Sequence, residues 1–522
     1  MCVFPRFLLQ CHTIYLIPKL VNIYFVCCYL KESESIILVF LDFPYWVRFA
    51  HFINLIFITL LIRSGIEILS ALPKLYFKDH AKPGSEWIKF TKKKMPRDRL
   101  WISLEEEEDF PSWIALPGHR NLGLGRHWHF FSIVFWIANG AAYYILLFTS
   151  NEWQRLIPTS WDIFPQAFHT AMTYASFHFP PPGNPYNPLQ QLSYFGAVFL
   201  LGPFMIATGA AMSPAIDARF PWYPKIFRGR QVARSLHFLG MLAFVLFIIV
   251  HLTMVVTERF SENMGNIVLG QTTSFGVAVG FFALFVIAVV AVNIWATGVS
   301  LRKPRKIQNA LDVVLVPAKW ILFRKTVSKQ QFPKSKVSPF FRVNGYPPET
   351  QEYKELLKNN FTQWKLKIYG LVQSPLELSL FDLHIINKQE QVTEHYCIQG
   401  WTAVGEWAGI PMGYIIEQCK PLESARYVVF RSYQYTAGDE FYEVLDLEVA
   451  KHPQTILAYE MNGEPLDIGH GAPLRLRVET QLGYKMVKWL KSIEFVNDYK
   501  NIGMGQGGHR EDHMYYSPRA GI

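Results

Sequence analysis

Five stretches of the chain stay apolar long enough to cross a bilayer: Trp46 to Leu69, Trp128 to Phe148, Leu192 to Met212, Ser235 to Val256 and Phe275 to Val299. At about 1.5 Å rise per residue, roughly twenty such residues span the hydrocarbon layer, so each stretch predicts a transmembrane helix. After Val299 the pattern changes. From about Pro339 onward, charged and Pro/Gly-rich segments alternate with short β-branched runs, as in Arg426-Tyr-Val-Val-Phe-Arg431 and Leu474-Arg-Leu-Arg-Val478. These predict strands of a soluble domain. The expected architecture is an α-helical transmembrane bundle of about five helices over 46–300, a basic linker over 301–338, and a soluble mixed α/β, strand-rich domain over 339–522. Residues 1–45 stand apart. They hold Cys2, Cys11, Cys27 and Cys28 and an apolar stretch broken by His12, Pro18 and Lys19. They match neither a clean secretory signal nor a twin-arginine signal, which leaves an irregular extra membrane segment or a misassigned start.

Composition averages two unlike halves: half of the 522 residues are hydrophobic, yet mean hydropathy is only +0.12. The formal charge of +10 reads as membrane-facing basicity, because no nucleic-acid module accompanies it. Lysine and arginine crowd two loops. Ser70 to Arg126 carries Lys74, Lys78, Lys82, Lys89, Lys92, Lys93, Lys94, Arg97, Arg99, Arg120 and Arg126, partly offset by the acidic run Glu105 to Asp109. Ser213 to Arg234 carries Arg219, Lys225, Arg228, Arg230 and Arg234, and Arg302, Lys303, Arg305 and Lys306 follow the fifth span. The positive-inside rule places these segments, and the soluble domain after them, in the cytoplasm of a bacterial-type inner membrane. No C-x-x-C spacing occurs, and no disulfide is expected.

One five-residue frame recurs at three membrane entries: Arg48-Phe-Ala-His51-Phe52, Arg126-His127-Trp-His129-Phe130 and Arg234-Ser-Leu-His237-Phe238. His251 follows His237 by fourteen residues in the same span, about 21 Å along the helix and nearly on the same face. A single intramembrane histidine is as readily a hydrogen-bonded packing residue or a proton relay. Four of them, two at transmembrane spacing, are the ligand set for two bis-histidine hemes b, with Arg48, Arg126 and Arg234 placed to meet propionates. The repeated frame prefers His129 over His127.

Residues from about 44 to 300 resemble the diheme cytochrome b subunits of nickel-iron hydrogenases and formate dehydrogenases, which are cytochrome b561-like. The resemblance rests on the histidine pattern, with Tyr186-Asn-Pro-Leu-Gln-Gln-Leu-Ser-Tyr194 and Thr208-Gly209 similar to the family's third-helix entry. It implies one heme between His129 and His237 and another between His51 and His251. It also implies exchange of electrons with quinone or quinol, or with a redox protein. Two features depart from that family: it normally has four core helices with the first entering from the cytoplasm, whereas the charge count here inverts this and a fifth span follows.

The soluble half carries His395-Tyr-Cys-Ile-Gln-Gly-Trp-Thr-Ala-Val-Gly-Glu-Trp-Ala-Gly409. A lone cysteine is usually a small buried hydrophobe. Two further blocks change that reading: Trp364-Lys-Leu-Lys-Ile-Tyr-Gly-Leu-Val372, and Ala458-Tyr-Glu-Met-Asn-Gly-Glu-Pro-Leu466 followed by His470-Gly-Ala-Pro-Leu-Arg-Leu476 and Gly483-Tyr-Lys-Met-Val-Lys-Trp489. In this order they resemble the sulfite-oxidase-type molybdopterin fold. The resemblance implies Cys397 as molybdenum ligand and catalytic centre, with His470, Arg475, Lys485 and Lys488 contacting the pterin and its phosphate. A soft thiolate suits molybdenum, and clustered cations suit a phosphate. Gly400-Trp401 follows the cysteine where sulfite oxidases have an Asn-Arg pair, and the Cys-x-x-x-Trp spacing is closer to molybdenum-type methionine sulfoxide reductases.

Other signals carry less. Gly503-Met-Gly-Gln-Gly-Gly508 lies too near the terminus for a dinucleotide-binding unit, and His509 and His513 have no further ligands beside them. Residues Gln166 to Phe179 fit an interfacial amphipathic helix. The expected protein is a membrane-bound molybdenum oxidoreductase, leaning to reduction of a small oxidised substrate. The competing readings are a cytochrome b subunit whose C-terminal domain only binds partners, and a transporter, which leaves the aligned histidines without a purpose. A reporter fused after Ile522 is expected to be active in the cytoplasm; periplasmic activity would contradict the charge argument.

Overall fold

The structure, a computed structural model, describes residues 43–96, 98–181, 183, 186–323 and 330–522. The segment 1–42 with its four cysteines, and Arg97 of the first basic loop, lie outside the described residues. Five helices are long and apolar enough to span a membrane: α1 (Tyr45–Ala71), α2 (Leu122–Thr149), α4 (Pro188–Ala211), α5 (Arg230–Thr257) and α6 (Phe275–Arg302). Between α2 and α4 runs the shorter α3 (Ile163–Ala175), which exposes Phe164, Phe168 and Met172.

Local chemistry explains the helix boundaries and bends. Asn187 opens α4 with a capping box: its Oδ1 accepts from Gln190 N at 2.9 Å and its N donates to Gln190 Oε1 at 3.0 Å. Mid-helix, Gly196–Leu201 winds as a π turn just ahead of Pro203, whose ring has no N–H to continue an α ladder. The α1–α2 crossing is close because Gly125 has no side chain; a Cβ there would come within 2.5 Å of Glu67. The Glu67 carboxylate is fully buried and accepts the Gly118 N–H at 3.0 Å.

The stretch 301–338 contains a helix, α7 (Pro304–Phe323). Its Leu311 and Leu315 pack with Leu116, Trp128 and Ala296 against α2 and α6. Arg305 donates to the carbonyl of Glu511 at 2.7 Å and Gln308 to that of Tyr516 at 3.2 Å, so α7 also holds the C-terminal tail and its short helix α8 (His509–Met514).

The soluble domain is built from two five-stranded sheets. Strands β1 (Lys365–Gly370), β2 (Leu376–Ser379), β5 (Tyr427–Thr436), β6 (Asp439–Asp446) and β10 (Leu490–Val496) form one, in the order β2-β1-β10-β5-β6, with β1 and β10 parallel. Strands β3 (Gln389–Tyr396), β4 (Thr402–Pro411), β7 (Thr455–Met461), β8 (Glu464–Pro465) and β9 (Arg475–Val478) form the other, in the order β8-β7-β4-β3 with β9 also on β7. Trp364, Phe430, Leu457, Trp489 and Ile493 are buried in the main core, each contributing about 1.5–3 kcal/mol or more by leaving water.

A strap, residues 72–118 between α1 and α2, wraps from the membrane helices over the soluble domain. Lys74–Leu75 pair with Ile88–Lys89, and Ser103 N donates to Val343 O at 2.8 Å. Glu106, 1% exposed, ion-pairs with Arg342 and with Lys74 at 3.3 Å, while Arg342 also donates to Tyr76 Oη at 3.1 Å and Ala81 O at 2.8 Å. Removing the acid strands two buried cations, at a cost of about 3–5 kcal/mol. Glu106→Gln is therefore expected to raise hydrogen exchange and proteolysis across 72–118; unchanged protection would remove the clamp from the account.

Candidate functional site

Cys397 sits at the tip of the β3–β4 hairpin. The turn closes through Cys397 N to Trp401 O at 3.1 Å and Gly400 N to Cys397 O at 3.0 Å, and Gly400 adopts φ +106°, open to glycine and strained for L side chains. Leu72, Tyr76 and Ala81 of the strap pack over Cys397 and Trp401. Asn344 Nδ2 lies 3.6 Å from the Cys397 Sγ, and the thiol lies 3.5 Å from Gln399 Oε1. Burial pushes the thiol up to about 11. It is a neutral thiol at physiological pH, and binding a metal would release its proton.

Beside the turn a cavity is lined by Phe341, Asn344, His395, His470, Arg475 and Lys488, among others. Arg475 donates to His470 O at 2.9 Å, but its Nε is buried with no hydrogen-bond partner. Burial, then the neighbouring Arg477, brings Arg475 down to about 9. Lys488 is held well below the usual lysine range by burial and then by Arg475. Such a cavity carries excess positive charge that an anionic group would relieve. His395 adds a donor. Arg477 Nη1, which can only donate, lies 3.0 Å from His395 Nδ1, so the ring proton is on Nε2, which is buried without a partner. Burial and Arg477 hold His395 neutral.

His470, Arg475 and Lys488 thus line one cavity beside Cys397, as expected together. Lys485 does not join them. Its ammonium ion-pairs with Glu443 at 3.0 Å and with Glu511, all three side chains being at most 1% exposed. Although burial works against the charge, the two carboxylates hold the lysine above its usual range, and burial raises both acids. Lys485 pins the tail helix α8 to β6; the cavity draws its charge from the other cations. Asn344 and His395 escaped the sequence reading. His395 lies in the quoted cysteine motif, and strand alternation places it on the cavity side while Tyr396 donates to Asp217 at 3.2 Å on the other.

The four histidines fall in two layers. His129 and His237 are the eighth residues of α2 and α5, near the soluble domain. Ser64 Oγ donates to Leu60 O and lies 3.1 Å from His129 Nδ1; Thr208 Oγ1 donates to Phe204 O and lies 3.0 Å from His237 Nδ1. Each hydroxyl thus accepts from Nδ1–H and leaves Nε2 free. Gly65 and Gly209 follow these hydroxyls and lie against the rings. The second layer holds His51 and His251, ring centroids 6.3 Å apart, with Tyr194 Oη 3.5 Å from His251 Nδ1. His127, buried, instead hydrogen-bonds Gly123 O at 2.7 Å and faces Asp312 at 3.4 Å.

The arginines of the frame are spent differently. Arg48 donates to Val268 O at 3.1 Å. Arg234 donates to Lys74 O at 2.7 Å and Leu72 O at 2.5 Å and borders Gly400. Arg126 lies over Phe130, within electrostatic reach of Tyr484, Tyr516 and Cys397. The helices of the inner histidine pair therefore abut the cysteine turn, and Gln231 Nε2 donates to Gly400 O at 2.9 Å.

Residues 42–267 match the prokaryotic cytochrome b561 family and residues 354–502 the oxidoreductase molybdopterin-binding domain family. An uncharacterized oxidoreductase, YuiH, of Bacillus subtilis is 32% identical over 140 residues, 27% of this chain and 68% of that one. The chain is a molybdopterin-binding oxidoreductase with a cytochrome b561 domain. It is an integral membrane protein, and its cofactors are molybdopterin and heme b. It is also 32% identical over 184 residues to a putative protein-methionine-sulfoxide reductase subunit, YedZ1, of Azospira oryzae, and 31% identical over 171 residues to the protein-methionine-sulfoxide reductase catalytic subunit MsrP of Campylobacter jejuni. These matches cover 35% and 30% of this chain, and 64% and 58% of those relatives' lengths.

Two substitutions separate the lysines. Lys485→Met leaves two buried carboxylates uncompensated; at about 3 kcal/mol and 2–4 °C per kcal/mol, the unfolding temperature of the domain falls by roughly 6–12 °C. Lys488→Ala keeps the unfolding temperature within a few degrees and loses molybdopterin on gel filtration. The reverse pattern would return Lys485 to the cofactor cavity.

Proposed function

We propose that this chain reduces a small oxidised substrate by oxygen-atom transfer at Cys397, with electrons delivered through two intramembrane hemes b. The observation that carries the proposal is the hydrogen bond from Gln231 Nε2, on the helix of His237, to the carbonyl of Gly400, three residues after Cys397, at 2.9 Å. It holds the helix of His237 against the turn of Cys397. A molybdenum–pterin group bound there supplies two-electron oxygen-atom chemistry, and hemes supply electrons singly. The chain's residues do the rest.

Cys397 would give up its proton to ligate molybdenum. His395 Nε2–H, His470, Arg475 and Lys488 would hold the pterin and its phosphate. In the bilayer, His129 with His237 and His51 with His251 are the pairs that would hold the two hemes. The 6.3 Å between the outer rings leaves room for one iron at the roughly 2 Å metal–nitrogen distance of imidazole ligation. Arg126 and, on the outer side, Arg48 supply charge for propionates; Arg234 is committed to the strap.

Quinol is the proposed electron donor, and its oxidation releases protons near the outer heme. Glu258, two turns after His251 and 9% exposed, accepts from Tyr174 Oη at 2.7 Å, and Asn187 donates to the same Tyr174 oxygen at 3.1 Å. This group is placed to take those protons. The concentration of lysine and arginine on the loops beside the soluble domain supports a cytoplasmic site, in an inner membrane of bacterial type. The division proposed is 46–300 for electron transfer, 301–338 for the connection carrying α7, and 339–522 for oxygen-atom transfer.

Purified full-length chain is expected to hold about two hemes and one molybdenum. Cys397→Ala should lose molybdenum and keep heme; His129→Ala and His237→Ala should each lose the same heme. Glu258→Gln should slow heme reduction by a quinol and leave reduction by dithionite unchanged. Heme without molybdenum in a host that makes the cofactor would leave an electron-transfer subunit.

A further inference from the structure

The turn Cys397–Trp401 has no ionisable side chain besides the cysteine itself. Yet the proposed reaction consumes protons: a sulfoxide takes two electrons and two protons to give the thioether and water, the sulfur being reduced and the sulfur–oxygen bond broken. Those protons must be held next to a thiol that is 6% exposed. Gln399, 3% exposed, stands beside it and accepts from Trp401 Nε1 at 3.2 Å. Its own Nε2 donates at 2.7 Å to Glu107 Oε1 and at 3.3 Å to Ser103 O, both on the strap. Glu107 is itself only 6% exposed. The strap is fixed at this point by the Ser103–Val343 backbone bond, by a side-chain bond from Ser103 to Asn344 and by the Glu106 clamp.

We propose that Glu107, delivered from the membrane half by the strap, is the proton store of the oxygen-transfer site, with Gln399 aiming its carboxyl at the Cys397 turn. This rests on the oxygen-atom-transfer reading above. When the substrate oxygen leaves as water, Glu107 gives up one of the two protons toward it, the second comes from solvent, and Glu107 is then reprotonated from solvent. It is a positioning and proton-holding residue, acting through Gln399. Burial raises its carboxyl above the ordinary range against the pull of Gln399 and of Arg510, Arg120 and Lys93. The other groups facing it are Glu108 beside Lys93, Tyr516 of the tail and Cys397. His395 cannot serve, being held neutral by Arg477 and burial. Glu394 and Tyr396 lie with Asp217 and Arg230 in a separate cluster at the membrane-domain contact. The soluble domain alone would therefore be an incomplete catalyst, because a loop of the electron-transfer domain supplies its acid.

The test uses the loaded full-length chain and its Glu107→Gln and Glu107→Asp variants. Reduced-minus-oxidised infrared difference spectra are recorded, and turnover is followed from pH 5 to 9 with methionine sulfoxide and dimethyl sulfoxide as probe oxygen donors. A proton held on Glu107 gives a protonated-carboxyl band that Glu107→Gln abolishes and Glu107→Asp restores, with heme absorbance and molybdenum content unchanged. General acids contribute about 10²–10⁴-fold, and one acting through Gln399 should account for at least about tenfold in rate. Wild-type turnover should fall as pH rises through the raised Glu107 pKa, and that limb should vanish in Glu107→Gln and return in Glu107→Asp. A band that vanishes in Glu107→Gln with no sulfoxide turnover in any form would uphold the proton store and sink the substrate reading. Turnover with the band and the alkaline limb intact in Glu107→Gln would overturn the proton store alone.

Discussion

Glu106 is the acid at which the two halves of the chain meet, and the arrangement of the sites follows from it. One carboxylate, taken out of water, faces Lys74 at the start of the strap and Arg342 at the edge of the soluble domain. Buried ion pairs are weak evidence of stability, since desolvation consumes most of their attraction. Their use here is register. With Glu106 paired, Ser103 is brought to Val343 and Asn344, Asn344 to Cys397, and Glu107 to Gln399.

Docking in register also sets the distance electrons would cross in the proposed reaction. The inner histidines sit one turn beyond Arg126 and Arg234, and both arginines lie beside the cysteine turn or its neighbours. Joining the two functions in one chain replaces collision between separate proteins by a fixed, high effective concentration. Inside the membrane the same economy recurs: Ser64-Gly65 and Thr208-Gly209 each combine a hydroxyl that orients an imidazole with a residue small enough to leave the ring room.

Much of this was legible in the residues. Span length and apolarity give the five membrane helices directly, because a bilayer imposes one length on all of them. The histidine frame and the cysteine block are local patterns, and the structure gathers His470, Arg475 and Lys488 beside Cys397. What was not legible is long-range. Helix α7 hides in a segment read as a basic linker and carries Pro317 in its interior. The run Glu105 to Asp109 reads as a partial offset to basic charge, yet Glu106 and Glu107 are buried against residues more than two hundred positions away. Lys485 follows a cofactor-like motif and is claimed by Glu511 from the tail. Arg234 fits a propionate until the strap's carbonyls take it. In each case a tertiary partner, invisible to spacing, decides the role.

Rapid-mixing spectrophotometry tests the central claim most directly. Full-length protein with its hemes reduced by dithionite, excess removed, is mixed with methionine sulfoxide and heme absorbance followed. An internal path from heme to the Cys397 site predicts reoxidation at a rate independent of protein concentration, lost in Cys397→Ala. Reoxidation that persists in Cys397→Ala, or that slows in proportion as the protein is diluted, would contradict it.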